Sequence, residues 1–317
     1  KNNIKMKLFD RDGNGSEEIT AAVGIISNGI TFDKWRPLIP FGIRDVVAIV
    51  GREPVEALSR FYMNAGAFDQ RLFVPLRYLQ QAVAFFTWLK IIPTLDAQHD
   101  ETGRAKRLGE NEKGLTALQE FKDEENILRL AYEATDAFIE ALDVHEFDFW
   151  VNSPKYRLRE GLLIRSKEEF DNYYIIGSHR LFVTLLPIIR EVQGATVAPV
   201  LGKYLAPILS GEDSDTFTLM KATAARAVAL LTMQKAVERL PVEVIPEGIV
   251  QVQQSQPVKS RLRAEQSARA SVAASLGADA TRALEYLQQL VAQLDADGQE
   301  VDTSITGPIV HSKGMSF

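Results

Sequence analysis

The sequence has no cysteine, and only 4 histidines, 3 tryptophans and 5 methionines among 317 residues. Without cysteine there are no disulfides, and thiolate metal centres and thiol catalysis are excluded. The absence fits a product of the reducing cytoplasm. His99, His145, His179 and His311 are scattered, and none lies four residues from another, so no histidine metal cluster is signalled. No GxGxxG or Walker-type loop follows a strand, and Gly13–Gly15 is too short and too acidic to cradle a phosphate. No apolar run approaches the roughly 20 residues that cross a bilayer. Lys1–Leu8 is too short and too charged for a signal peptide. The expectation is a soluble chain with no membrane contact, no enzymatic activity and no cofactor.

What is present is an ordinary globular composition, 46% apolar and 25% charged, enough to form a core. The net charge of −6 weighs against a general nucleic-acid binder. The strongest internal signal is a repeat. Ala82–Lys90 reads AVAFFTWLK and Ala227–Lys235, 145 positions later, reads AVALLTMQK, with five of nine letters identical. The register continues from Gly103 to Gly248, Glu140 to Glu285 and Leu142 to Leu287. Upstream the spacing drifts to 150 or 151, pairing Glu17 and Glu18 with Glu168 and Glu169, and Phe32 and Pro37 with Phe182 and Pro187. A period of domain length predicts two similar domains rather than a solenoid.

The expected fold is mainly α: two tandem similar helical domains over 1–152 and 153–300, each with a small β-hairpin, then an extended C-terminal tail over 301–317. Each copy opens with an extended piece, Met6–Phe9 or Leu162–Ile164, and a first helix carrying acidic residues in its first turn. A second helix is expected over Phe32–Ile49 and Leu181–Leu201, kinked or broken by Pro37, Pro40 and Pro187, and ending at Gly51 or Gly202. A short third helix follows at Pro54–Tyr62 and Tyr204–Leu209. The fourth helices, Leu72–Ile92 and Phe217–Leu240, have apolar residues recurring at three and four, which marks a buried stripe. Turns at Asp100-Glu-Thr-Gly103 and Ile245-Pro-Glu-Gly248, the latter followed by Ile249, read as hairpins. Final helices are expected over Thr116–Val144 and Pro257–Ala296. The aromatic run Phe147, Phe149, Trp150 and Tyr156 reads as an extended, ring-pinned linker forming an inter-domain seam.

Two motifs point to ligands. Asp10-Arg-Asp12-Gly-Asn14-Gly15 matches the first half of an EF-hand loop, with Asp10, Asp12 and Asn14 as calcium ligands and glycine at six. The twelfth position is Ala21, however, so the bidentate glutamate is missing, and an Asx turn feeding a helix accounts for the same residues. Lys259, Arg261, Arg263 and Arg269 form the most basic segment. They would give a salt-sensitive contact to nucleic-acid phosphate, but interleaved Glu265 and the lack of aromatics argue for a solvated helix face instead.

Taken together, Phe182, Leu186, Pro187 and Arg190 with Leu201–Gly202, Ala227-Val-Ala-Leu-Leu, Pro246-Glu-Gly-Ile-Val and Lys313-Gly-Met-Ser-Phe317 resemble an uncharacterised family of Bacteroidetes phages and prophages. More distantly the layout resembles the small helical head–tail connector (adaptor, head-completion) proteins of tailed phages. The resemblance implies a structural virion protein, assembled in the bacterial host cytoplasm and placed at the head–tail interface. It would dock on the portal protein as a ring of on the order of twelve copies. The ring would contact tail or stopper proteins and let genomic DNA pass through its lumen without sequence recognition. On that reading the tail residues Ile305, Ile309, His311, Lys313, Met315 and Phe317 would meet the portal. The turns at Gly103, Gly248 and Ile249 would meet neighbours.

Overall fold

The structure, a computed structural model, describes residues 6–24, 30–64, 69–100, 103–106, 116–212, 214–240 and 266–297. The protein is mainly α. In the first half, helix α1 (Gly15–Val23) starts after Asn14, and Glu17 and Glu18 in its first turn complement the positive end of the helix dipole. The next stretch is broken into α2 (Phe32–Trp35) and α3 (Ile39–Val50) around Pro37, which has no N–H to continue the ladder. Helix α3 ends at Gly51, whose φ of 90° a side chain would resist. Helix α4 (Arg52–Met63) follows, and a 3₁₀ turn at Gln70–Leu72, capped by Asp69, leads into α5 (Phe73–Asp96). A short antiparallel ladder, β1 (Ala97–Asp100) with β2 (Gly103–Lys106), pairs Ala97 with Lys106 and Asp100 with Gly103. Helix α6 (Ala117–His145) begins in a capping box, Thr116 with Gln119, and packs along α5.

The junction differs from the extended linker expected of it. Phe147 precedes a helical turn α7 (Asp148–Val151), its carbonyl accepting the Trp150 N–H at 2.8 Å, and Ser153 caps α8 (Pro154–Arg157) by accepting the Tyr156 N–H. Asp148 in the first turn and Pro154 at the first helical position favour that outcome locally. The rings do turn inward, with Phe147 and Trp150 buried.

The second half reproduces the order of the first. The extended Leu162–Ile164 is buried, and Ser166 caps the short α9 (Lys167–Asp171). Helix α10 (His179–Val192) passes through a π turn at Gln193–Val197 into α11 (Ala198–Leu201), which ends at Gly202 with φ 51°. Helices α12 (Leu205–Ser210), α13 (Asp215–Arg239) and α14 (Gln266–Asp297) complete it, with α13 packed along α14 as α5 is along α6. The likeness reaches single bonds. Asp10 donates its N–H to Glu18 Oε2 at 2.5 Å, and Arg165 donates its N–H to Glu169 Oε2 at 2.6 Å. The expected second hairpin around Gly248 and the tail from 301 onward lie outside the described residues.

There are two cores. The first gathers Leu8, Trp35, Val46, Leu79, Phe138 and Trp150, and the second Ile164, Phe170, Phe182, Leu186, Val228 and Leu287. Each such side chain contributes roughly 1.5–3 kcal/mol by leaving water. Val183 of α10 is buried in the first core rather than the second, so α10 belongs partly to both halves. By length and hydropathy alone the stretch His179–Ser210 could cross a membrane, with a mean hydropathy of 1.4 in its most apolar window. It is interrupted by the π turn and by Gly202, and Leu181, Phe182, Leu185, Leu186, Ile189 and Val192 are already covered by the second core. Its apolarity is that of a core helix.

Candidate functional site

Among the described residues, buried charge gathers where the halves meet. Near the end of α6, Asp143 accepts Trp150 Nε1 at 2.7 Å and both Nη atoms of Arg159 at 2.9 and 3.0 Å. Arg159 is 6% exposed, and its guanidinium lies 4.6 Å from the Tyr156 ring, 5.4 Å from Phe182 and 5.6 Å from Trp150. Rings hold its faces while the carboxylate holds its fork. His179, the first residue of α10, brings Nδ1 to 3.8 Å from Asp143 and Nε2 to 3.6 Å from Glu168. These are electrostatic contacts, too long for hydrogen bonds. Two turns earlier on α6, Asp136 accepts Ser178 Oγ at 2.9 Å and the Arg180 N–H at 2.6 Å. A first-half carboxylate thus sits at the positive end of α10, while the Arg180 guanidinium lies 3.9 Å from the Tyr132 ring.

Burial pushes the Asp143 carboxyl up, but His179, Arg159 and Trp150 outweigh it and hold the group below the usual carboxylate range. Burial alone would lower the His179 imidazole. Asp143, Glu168 and Glu140 reverse that and leave it above its ordinary value. The arrangement gives Asp143 a cation and a ring N–H donor, and gives Asp136 a hydroxyl and a backbone N–H. It ties α6 to the start of α10. Sequence reasoning placed a seam here from its aromatics but missed Asp143, Arg159 and His179. Their only signal is charge falling beside apolar and aromatic positions.

A second feature is a cleft of about 520 Å³ at the start of the first half, lined by Arg11, Phe61, Tyr62, Phe73, Arg77 and Gln80 among others. The Tyr62 hydroxyl donates to Glu18 Oε1 at 2.7 Å and accepts the Arg11 N–H at 2.8 Å. Burial, then the Glu18 carboxylate, push its pKa well above the ordinary phenol value. Gln80 Nε2 donates to the Leu8 carbonyl at 2.6 Å, so the polar wall of the cleft chiefly ties the segment before α1 to α4 and α5.

The residues expected to bind ligands are placed as follows. Asp10 has φ 63°, its Oδ1 accepts the Gly15 N–H at 3.4 Å, and its Oδ2 lies 3.6 Å from Arg36. Asp12 is paired with Arg11 at 2.8 Å. Asn14 offers its carbonyl to Glu17 and Glu18, with no side-chain bond to the helix. The two carboxylates are thus turned to different arginines, as in a turn that starts a helix. Among the described residues no group of three or more acidic or histidine side chains is placed to hold a metal. Gly103 opens β2. Arg269 donates Nη2 to the carbonyls of Val237 and, at 3.0 Å, Leu240, closing the C-terminus of α13. Lys259, Arg261, Arg263, Gly248, Ile249 and the tail residues from Ile305 to Phe317 lie outside the described residues.

Against this geometry the family comparison is informative. A family described as "Family of unknown function (DUF6712)" matches residues 69–159 and 196–299, together more than half of the chain. The chain belongs to that family. The first matched segment runs from the 3₁₀ turn before α5 to Arg159. The second runs from the end of the π turn past α14. Each therefore holds one long packed helix pair, consistent with a tandem duplication. No curated protein and no solved structure matches the chain.

Proposed function

We propose that this chain is a non-enzymatic structural virion protein, a head–tail connector or adaptor that docks on the portal ring and extends the DNA channel toward the tail. The observation that carries the reading is the use made of buried charge. Asp143, Arg159 and His179 lock one copy of a repeated helical unit to the next, which suits a protein whose working property is a fixed shape. Identical subunits would form a closed ring of on the order of twelve, with tail or stopper proteins below and DNA passing without sequence recognition. Ile305, Ile309, His311, Lys313, Met315 and Phe317 are assigned to the portal, and the turns at Gly103 and Gly248–Ile249 to neighbouring subunits or tail proteins.

The test is the mass of the purified protein, alone and after mixing with portal rings from its own genome. Stoichiometric capture into a ring is expected, with loss of capture on deleting residues 305–317 and no loss of helix content. A protein that stays monomeric and ignores the rings would overturn the reading, and capture undiminished by the deletion would remove the assignment of the tail.

A further inference from the structure

We propose that the cleft at the start of the first half binds a small aryl carboxylate, a molecule that joins an aromatic ring to a carboxylate through a short aliphatic chain. At about 520 Å³ the cleft lies within the roughly 300–1,000 Å³ of small-molecule sites. Three helices wall it: α1 with Ala21 and Ala22, α4 with Phe61 and Tyr62, and α5 with Phe73 and Arg77. In the second half the glutamates matching Glu17 and Glu18 are followed by only two more helical residues, since α9 ends at Asp171. The wall of Ala21 and Ala22 is therefore a feature of the first half.

Three charged groups line the space, and two are already engaged. Glu18 accepts the Tyr62 hydroxyl at 2.7 Å and the Asp10 N–H at 2.5 Å. Arg11 is paired with Asp12 at 2.8 Å and donates Nη1 to the Tyr62 carbonyl at 2.9 Å. Arg77 has no ion pair and no hydrogen bond from its side chain among the described residues. It is the cation left over in a cleft whose other charges are satisfied.

Arg77 follows Phe73 by one helical turn, so ring and guanidinium share a face of α5 with their Cβ atoms about 6 Å apart. Phe73 is 50% exposed, and it meets Phe61 near edge-on with centroids 5.3 Å apart. That leaves half of its surface open to a further ring in an offset or edge contact. A carboxylate would meet the planar fork of Arg77 with two parallel bonds, and a ring tethered to it by a short chain would reach Phe73 and Phe61. A bare phosphate would leave the aromatic walls unused, and an uncharged arene would leave Arg77 unused. This inference concerns the first half alone and stands whether or not the chain is a virion protein.

Hydrocinnamate titrated into the full chain, followed by calorimetry and ligand-observed NMR, tests the proposal. Saturable binding is expected with a dissociation constant of about 1 mM. Hydrocinnamyl alcohol, which keeps the ring and loses the charge, should bind about tenfold more weakly. Propionate, which keeps the charge and loses the ring, should not bind detectably. Arg77→Gln should bring hydrocinnamate down to the level of the alcohol while leaving the alcohol and the urea midpoint unchanged, because Arg77 makes no bond of its own. Phe73→Ala should weaken both aromatic ligands alike. No saturation by about 20 mM, equal binding of acid and alcohol, or an Arg77→Gln variant that keeps wild-type affinity for hydrocinnamate would each overturn the proposal.

Discussion

Lys90 on α5 reaches Asp45 on α3 at 2.5 Å, and 145 residues later Lys235 on α13 reaches Glu191 on α10 at 2.6 Å. In each half a lysine of the fourth major helix is bridged to a carboxylate of the second. The second bridge is reinforced, since Arg239 also holds Glu191 at 2.7 Å. Hydrogen bonds from Arg239 and Lys235 bring the Glu191 carboxyl down to about 2. Its contribution is present above the ordinary glutamate value and is lost as pH falls through about 2. Carboxyl-carbon NMR should find Glu191 still ionised after the other surface glutamates have protonated. The first bridge is half-exposed, and Lys90→Met should cost at most about 1 kcal/mol in urea unfolding.

The threonines one turn before these lysines supply a second internal comparison. Thr87 Oγ1 donates to the Val83 carbonyl at 2.6 Å, whereas Thr232, equally buried, has a hydroxyl with no partner among the described residues. Removing a made bond costs about 1 kcal/mol, and removing a buried unsatisfied hydroxyl returns a similar amount. Thr87→Val is therefore expected to lower the urea midpoint and Thr232→Val to raise or preserve it. Two changes of the same sign and size would contradict this reading.

These paired features explain what the sequence could reveal. The fourth helices were legible because their apolar stripe recurs with helical period and is repeated after 145 residues, and the second helices stop at Gly51 and Gly202 because both need positive φ. Pro37 breaks its helix as its missing N–H requires. The seam was less legible. Asp143, Arg159 and His179 come together only after α6, the segment following α8 and the start of α10 have packed, and no periodicity links residues brought together by tertiary folding. Phe147–Tyr156 showed the aromatic content of the junction but not its two helical turns, which begin with Asp148 in the first turn of one and the Ser153 cap of the other. Asp10 and Asp12 looked like ligands because an Asx turn and half a calcium loop use the same residues.

At Gly42 helix α3 lies close against α5. A Cβ there would lie 2.3 Å from Thr87 Oγ1 and 2.6 Å from the Val83 carbonyl. Gly42→Ala must push α3 away from α5 and should cost about 1–3 kcal/mol by overpacking. Because the Val83 backbone is part of the clash, adding Thr87→Ala should restore only part of the loss. Full restoration by the double variant would place the whole conflict on the hydroxyl.

Asp143 is where the seam can be tested most directly. Replacing it by alanine leaves Arg159 buried with no counter-charge and takes the acceptor from Trp150. Breaking one partner of a buried pair costs about 3–5 kcal/mol, whereas replacing both by apolar residues of similar volume is far milder. Asp143→Ala should therefore unfold at markedly lower urea, and Asp143→Leu combined with Arg159→Met should recover most of that stability. The wild-type seam should also weaken in acid, because a depressed carboxyl contributes above its ordinary value of 3.8 and loses that contribution as pH falls through the folded value. Trp150 fluorescence against pH would follow it. If the two single substitutions simply add in the double, the buried charges act independently and do not form the lock between the halves.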